Sequence, residues 1–329
     1  MRNDTIKSVL EALRGARLVM ITGHVRPDGD ALGCVIALAH QLNRNGISAV
    51  GVTADRNGFG GPGFLEGIEE LKTPEECEGM DFDLAVAVDC ASSDRIPNRV
   101  RELFDACPRK ICIDHHATNT RFADLNHVEG NASSTGEIIW KLFRSARWSL
   151  DRIAAEALWV AVVTDTGRFA YESTAPSTLR CGADLISCGV RTAYINDRLY
   201  CAFPLPAIEL KRRAYQTLDF TADGAIATIT LEAADFKETG GHKADVEDVV
   251  DIPRSVAGNR VAIFFYGAVG KPETRISIRT RAPYNASDLA ARFGGGGHNR
   301  AAGCTIAAGM AEAKNLFLKG LQQWLKEYQ

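Results

Sequence analysis

The sequence predicts an α/β protein: a doubly wound, mainly parallel sheet followed by a second, smaller α/β domain. Three observations predict it. Short apolar runs alternate with helical patterns as far as about residue 190, the pattern of strands joined by crossover helices. Beyond about residue 217 the character changes to β-rich segments with few helices. A length of 329 residues also exceeds what one ordinary core organises, so two domains, each with its own core, are expected.

Taken in order, the first segment carries Ile6, Val9, Leu10 and Leu13 on one helical face. RLVMIT (17–22) is the first strand, and the helix after it is expected to begin near Asp28 and stop at Asn45-Gly46. ISAVGVTA (47–54), DLAVAVD (83–89) and KICID (110–114) are further strands. Ser134 with Glu137 reads as a capping box opening EIIWKLFRSARW. The run AAEALWVAVV is helical and delivers TDTG at 164–167. Residues 1–190 are thus expected to form one domain, 191–216 a helical linker and 217–329 the second domain. The second contains TADGAIATITLEA, RVAIFFYGA and TRISIRTRAP as strands, with one helix, ASDLAARF, before a glycine run.

A net charge of −3 and a pI near 6.2 argue against a protein that coats long duplex nucleic acid by counterion release. An anionic partner should be small, or met by a local basic patch. Nine cysteines form no CxxC pair and sit largely in apolar runs, which fits a reducing, cytoplasmic setting. No apolar stretch reaches membrane-spanning length and the N-terminal segment lacks a signal-peptide core, so no membrane partner is expected.

Four polar clusters share one placement. His24, Asp28 and Asp30 follow the first strand; Asp89 ends the 83–89 strand; Asp114, His115 and His116 end the 110–114 strand; and Asp165 ends a buried helix. Ligands of open α/β sheets bind outside the carboxyl ends of the strands, so all four can converge on one crevice. Each residue alone has an ordinary structural reading: Asp28 as a helix N-cap, Asp30 as a partner of the helix dipole, Asp89 as a turn former, His24 as a hydrogen-bonded core histidine. Gathered together, the carboxylates would repel and take up protons unless cations neutralised them. A metal site is the economical explanation, and oxygen-rich ligation with a few imidazoles and no cysteine suits Mn²⁺ or Mg²⁺. The inventory exceeds the needs of one ion. Two ions about 3.5–4 Å apart, bridged by a carboxylate, are the usual arrangement for in-line attack at phosphorus.

These residues resemble the DHH phosphoesterases, whose name describes the triplet present here as Asp114-His115-His116. The clusters resemble that family's successive motifs, HxxxDxD, a lone Asp, DHH and a late Asp. FGGGGHNRAAG (293–303), with PRSVAG (253–258) and SIRT (277–280) upstream, resembles the DHH-associated domain. The match extends over essentially the whole chain and is most similar to the NrnA-type nanoRNases and pAp phosphatases. The resemblance implies two Mn²⁺ ions, with Mg²⁺ or Co²⁺ as alternatives. His24, Asp28 and Asp89 would hold the first, and Asp30, Asp89, His115 and Asp165 the second, with Asp89 as the bridge. It implies that His116 faces the substrate phosphate, that Asp114 orients a ligand histidine, and that a hydroxide between the metals is the nucleophile.

The glycine run, Gly295, Gly296 and Gly297 with His298 at its edge, allows backbone amides to approach an anion closely, although a glycine run is also a common linker. Arg279 alternates with Ile276 and Ile278, so its side chain leaves the apolar face of its strand. The resemblance makes Arg279 and His298 clamps on a terminal phosphate, with Arg254 a further candidate. Ser133, Ser134 and Thr135 are expected to open the EIIWKLFRSARW helix, with a side role at the phosphate as the lesser alternative; Arg168 and Phe169 follow Asp165 and are either crevice lining or structural. Cys34 and Asn285 depart from the family pattern and are expected to touch no proposed ligand.

The function implied is a phosphodiesterase trimming very short oligonucleotides, or linear dinucleotides such as pApA, to mononucleotides, with a possible pAp 3′-phosphatase activity. Alternatives are cyclic di-AMP hydrolysis, a RecJ-like single-strand exonuclease, and a nucleotide-binding regulator, which would be marked by a lost ligand. A homodimer is expected from the family alone.

Overall fold

The computed structural model describes residues 3–54, 62–221, 223–268, 270, 272–297 and 299–327. The chain divides into two units, Met1–Ala202 and Phe203–Gln329. The first runs α1 (Ile6–Arg14), β1 (Val19–Thr22), α2 (Gly29–Arg44), β2 (Ala49–Gly51), β3 (Leu84–Val88), α3 (Asn98–Ala106), β4 (Lys110–Asp114), β5 (Leu125–Val128), α4 (Thr135–Ala146), α5 (Arg152–Asp165), α6 (Pro176–Ser187) and α7 (Thr192–Tyr200).

Its sheet has the order β2-β1-β3-β4-β5, and every pairing is parallel. All carboxyl ends therefore lie along one edge. The chain turns from β1 outward to β2 and then resumes on the other side of β1 with β3, so a topological switch point falls between β1 and β3, where such sheets open a crevice. Both faces are covered, as near-continuous apolar strands require. Ile21, Val86, Val88 and Ile113 join the core under α2, α4 and α5. Met20, Ala85 and Ala87 face the other way, toward Phe104 of α3.

The strand expected over 47–54 is shorter in the structure. Asn43 holds Ala49 through both its backbone N–H and its carbonyl, and the chain leaves the sheet at Val52 to bridge Lys72. α2 begins where expected, capped by Asp28. α2 and α5 cross very closely: a Cβ at Gly33 would lie 2.3 Å from the Ala157 carbonyl, and one at Gly29 2.5 Å from Thr164 Oγ1. These glycines bring the start of α2, with Asp28 and Asp30, against the end of α5, with Asp165. At α4, Ser134 accepts from the Glu137 N–H, but Glu137 does not complete a capping box. Its carboxylate reaches one residue further, to the Ser133 N–H and hydroxyl.

The second unit comprises α8 (Leu205–Gln216), β6 (Asp219–Phe220), β7 (Ile226–Leu231), α9 (Ala233–Thr239), α10 (Asp251–Arg254), β8 (Val261–Gly267), β9 (Thr274–Thr280), α11 (Ala286–Ala291), β10 (Gly296–Gly297), β11 (Ala301–Ile306) and α12 (Met310–Lys326). Its sheet has the order β10-β11-β9-β8-β7-β6, antiparallel except between β7 and β8. Val261, Ile263, Phe265, Ile276 and Ile278 pack with α11 and α12 on one face. Ile229, Leu231, Phe264 and Tyr266 pack with α8 and α9 on the other. Among the described residues, no helix is long and apolar enough to cross a membrane.

Candidate metal centre

Three strand ends along the carboxyl edge of the first sheet, those of β1, β3 and β4, deliver the site's groups. His24 follows β1; its Nδ1 lies 2.9 Å from the Val25 carbonyl, a contact that leaves Nε2 as the nitrogen facing the carboxylates. Asp28 caps α2, accepting from the Asp30 and Ala31 N–H groups at 3.0 and 3.1 Å. The structural reading of Asp28 therefore holds, yet the same side chain stands 3.8 Å from His24 Nε2.

Asp30 is fully buried in the first turn of α2. Its two oxygens accept from the Thr135 and Gly136 N–H groups at 2.7 and 2.9 Å, so the amides at the start of α4 hold this carboxylate in place. The Cys34 thiol, one helical turn on, lies 3.3 Å from the same carboxylate. The expectation that Cys34 touches no proposed ligand is thus overturned: the helix places residue i+4 over residue i. Asn285 caps α11 by accepting from the Ser287 N–H.

Asp89 follows β3 in a left-handed backbone conformation, φ 54°, which aspartate tolerates better than most residues. Its Oδ2 lies 3.5 Å from His24 Nε2. Its Oδ1 lies 3.6 Å from His115 Nε2 and accepts the Thr135 hydroxyl at 3.1 Å. Asp165, at the end of α5, approaches His115 Nε2 at 3.1 Å. Asp114 is fully buried; one oxygen meets His116 Nδ1 at 2.7 Å and the other accepts from Asn119 at 2.6 Å. The histidine that Asp114 holds is thus His116.

Three sets of donor atoms, each within 4.8 Å, result: His24, Asp28 and Asp89; Asp30, His115 and Asp165; and Asp89, His115 and His116. The electrostatics show how strongly the cluster demands positive charge. Burial works against a charged His24, but Asp28 and Asp89 outweigh it and raise its pKa to about 11. Burial likewise opposes His115, and Asp165, Asp30 and Asp89 lift it to about 10. Burial and the neighbouring Asp89 and Asp165 push Asp30 well above the usual carboxylate range, and Asp165 is also raised, first by burial. Burial opposes the Asp28 carboxylate too, yet His24 and the capping amides hold it below its usual value. A divalent cation held here would take the place of the protons on His24, His115, Asp30 and Asp165, and oxygen-rich donors with imidazoles suit a hard or borderline ion.

Residues 18–162 match the DHH family N-terminal domain, and residues 223–327 match the DHHA1 domain. A bifunctional oligoribonuclease and PAP phosphatase NrnA of Thermus thermophilus is 33% identical over 303 residues, covering 92% of this chain and 87% of that protein. The chain belongs to the DHH family. The protein of the same name from Bacillus subtilis is 27% identical over 88% of this chain and 89% of its own. The crystal structure of an exopolyphosphatase-related protein from Bacteroides fragilis has the same fold, with a TM-score of 0.87 at 24% identity, over 98% of this chain and 96% of that one.

In the DHHA1 domain, Arg279 lies on β9, half-buried, with one guanidinium nitrogen 3.2 Å from the Ile278 carbonyl. Arg254 ends α10 and pairs with Asp251 at 3.3 Å. Gly296 and Gly297 form an exposed short strand beside β11. A Cβ at Gly295 would lie 2.2 Å from the Gly303 carbonyl, and one at Gly297 2.6 Å from that of Ala301, whereas Gly296 faces open space. The run is therefore a sheet edge rather than a linker, and two of its glycines are demanded by packing. His298 lies outside the described residues.

Reading the sequence missed the supports of the DHH site. Asn119 had a visible signal, a polar side chain five residues after Asp114. The Thr135 and Gly136 amides had none, because backbone donors have no letter. In the first unit, Gly167, Arg168 and Phe169 are three successive left-handed residues directly after Asp165. Arg168 stacks on Tyr200 at 4.7 Å and Phe169 packs on Trp159 at 5.6 Å, so both have structural partners.

Proposed function

We propose that this protein is a metal-dependent phosphodiesterase that degrades very short oligonucleotides, including linear dinucleotides such as pApA, to mononucleotides and also removes the 3′-phosphate of pAp. The observation that carries the two-ion form of this reading is Asp89: its two oxygens face different donor groups, Oδ2 toward His24 and Oδ1 toward His115. One short side chain can thereby serve two Mn²⁺ ions, with Mg²⁺ or Co²⁺ as substitutes. The ions supply a water acidified toward neutral pH and offset the charge of the phosphate.

The chain's own residues do the rest. His24, Asp28 and Asp89 hold one ion; Asp30, His115 and Asp165, with Asp89, hold the other. The α4 amides fix Asp30 and the Thr135 hydroxyl fixes Asp89, so neither carboxylate has to reorganise. Asp114 engages Nδ1 of His116, leaving Nε2 to meet the phosphate. Arg279, with Arg254, His298 and the edge glycines Gly296 and Gly297, provides donors for a terminal phosphate, whereas the Gly295 N–H donates to the Ala290 carbonyl at 3.0 Å. The named activity of the relatives from Thermus thermophilus and Bacillus subtilis supports the substrate class.

The test is a Mn²⁺-dependent product time course on 5′-phosphorylated RNAs of graded length, run beside pAp, cyclic di-AMP and pyrophosphate. Rapid conversion of dinucleotides to mononucleotides, with slow attack on long strands, is expected. Preference for long strands or for the cyclic dinucleotide would replace the substrate assignment, and inactivity on every substrate would defeat the enzyme reading.

A further inference from the structure

The DHHA1 domain contains a cavity of about 450 Å³ that none of the proposed substrate contacts uses, within the range of about 300–1,000 Å³ usual for small-ligand sites. It lies where α9 ends and where β8 meets β9. Phe236 and Tyr266, nearly buried, form an aromatic floor with ring centroids 6.5 Å apart. Among the described residues, Lys237, Lys243 and Arg275 line its walls against one carboxylate, Glu273, which sits 3.5 Å from Arg275. The balance is positive over an aromatic base, a combination that suits a group both aromatic and anionic.

The cavity is joined to the proposed phosphate clamp by one strand. Residues of β9 alternate in burial, with Thr274, Ile276, Ile278 and Thr280 inward and Arg275, Ser277 and Arg279 on the opposite, half-buried face. Residues two apart on a strand are separated by about 6.8 Å, so Arg275 stands about 14 Å from Arg279 along that face. The neighbouring β11 places Gly303 beside Ser277 and Ala301 beside Arg279, so the adjoining surface of the row carries little side-chain bulk. A single phosphate cannot bridge the two arginines; a short single strand can.

We propose that this cavity is a second nucleotide subsite, which takes a distal base and its phosphate from a single-stranded oligonucleotide whose other phosphate is held at Arg279. The inference rests on the oligonucleotide reading above and adds a length dependence to it. Dinucleotides are too short to use the cavity. Strands of several nucleotides gain affinity from it while the reacting groups are unchanged.

The experiment compares steady-state kinetics on a 5′-phosphorylated dinucleotide and pentanucleotide for the wild type, Lys237→Glu and Arg275→Gln, with thermal melts to establish folding. Expected is a rise of about tenfold in KM for the pentanucleotide in each variant, the loss of one charge-assisted contact, with kcat and the dinucleotide constants within about twofold. An unchanged pentanucleotide KM, or an equal rise on both substrates, would overturn the subsite. Should the wild type hydrolyse neither, the proposed function fails by itself. Fluorescence anisotropy with a labelled, non-hydrolysable pentanucleotide then decides the subsite: weaker binding in both variants supports it, and wild-type binding in either overturns it.

Discussion

The two units differ in how their polar groups are held. In the DHH domain the site is over-determined: Asp30 is fixed by two backbone amides, Asp89 by Thr135, Asp114 by Asn119 and Asp28 by the start of its own helix. In the DHHA1 domain the candidate groups are half-buried arginines and glycines at the edge of a sheet, and Arg254 pairs with Asp251 on its own helix turn. A pre-arranged acidic cluster suits chemistry, where geometry must not relax during reaction. Half-buried cations at a sheet edge suit capture, where the bound group brings its own order. Substitutions in the first unit should therefore act on kcat and metal affinity, and those in the second on KM.

The largest effect is expected from Asp89→Ala. It removes the carboxylate whose two oxygens face both donor groups, and turnover of a dinucleotide should fall on the order of 10³-fold or more. Isothermal titration with Mn²⁺ should show loss of at least one binding event. Wild-type turnover would remove Asp89 from the bridging position. Next is Asn119→Ala. Without its 2.6 Å hydrogen bond, Asp114 no longer holds His116 in one orientation, and kcat should drop by about 10–100-fold, the usual effect of losing a supporting partner. A change in KM with kcat intact would instead place Asn119 in substrate capture.

The same contrast explains what could be read from the sequence. Acidic and imidazole residues at the ends of apolar runs were legible because crossover rules send the carboxyl ends of parallel strands to one edge; the order β2-β1-β3-β4-β5 is not set by that alternation. The close crossing of α2 and α5 had a trace in Gly29 and Gly33, but its partners, Thr164 and Ala157, lie more than a hundred residues away and no local pattern names them. The Cys34 contact with Asp30 needed only the helical period, and it was missed because cysteine was read as core filling. In the DHHA1 domain the period of two located the face of Arg279, whereas which helices leave that face open is decided by tertiary packing.

Arg279→Ala sharpens the capture side of the comparison. Losing one charge-assisted donor should raise KM about tenfold for substrates with a terminal phosphate. Because Arg279 stands outside the metal cluster, kcat and Mn²⁺ affinity should hold. Steady-state kinetics on a dinucleotide with and without its 5′-phosphate measures this. An equal loss on both substrates would make Arg279 a general determinant of the domain rather than a phosphate contact.

The smallest effect tests whether rigidity in the DHH domain is separable from its chemistry. Glu129 accepts from Lys141 at 2.8 Å and lies 2.9 Å from His127 Nε2. His127, then Lys141, hold its pKa down from the usual 4.5 to about 2, against burial. A carboxylate depressed on folding contributes stability above its unfolded pKa and loses it as pH falls through the folded one. The contribution should therefore be complete at pH 7, begin to decline near 4.5 and vanish toward 2. Glu129→Gln should cost about 1–2 kcal/mol at pH 7, allowing for the part-exposed pair. The gap from wild type should narrow at pH 3, with dinucleotide kcat at pH 7 unchanged. Urea melts at the two pH values measure the gap. A loss of equal size at both would show that the residue acts through packing rather than charge, and a fall in kcat would show that this network reaches the metal cluster through the Glu129 N–H, which donates to the Asp114 carbonyl at 3.0 Å.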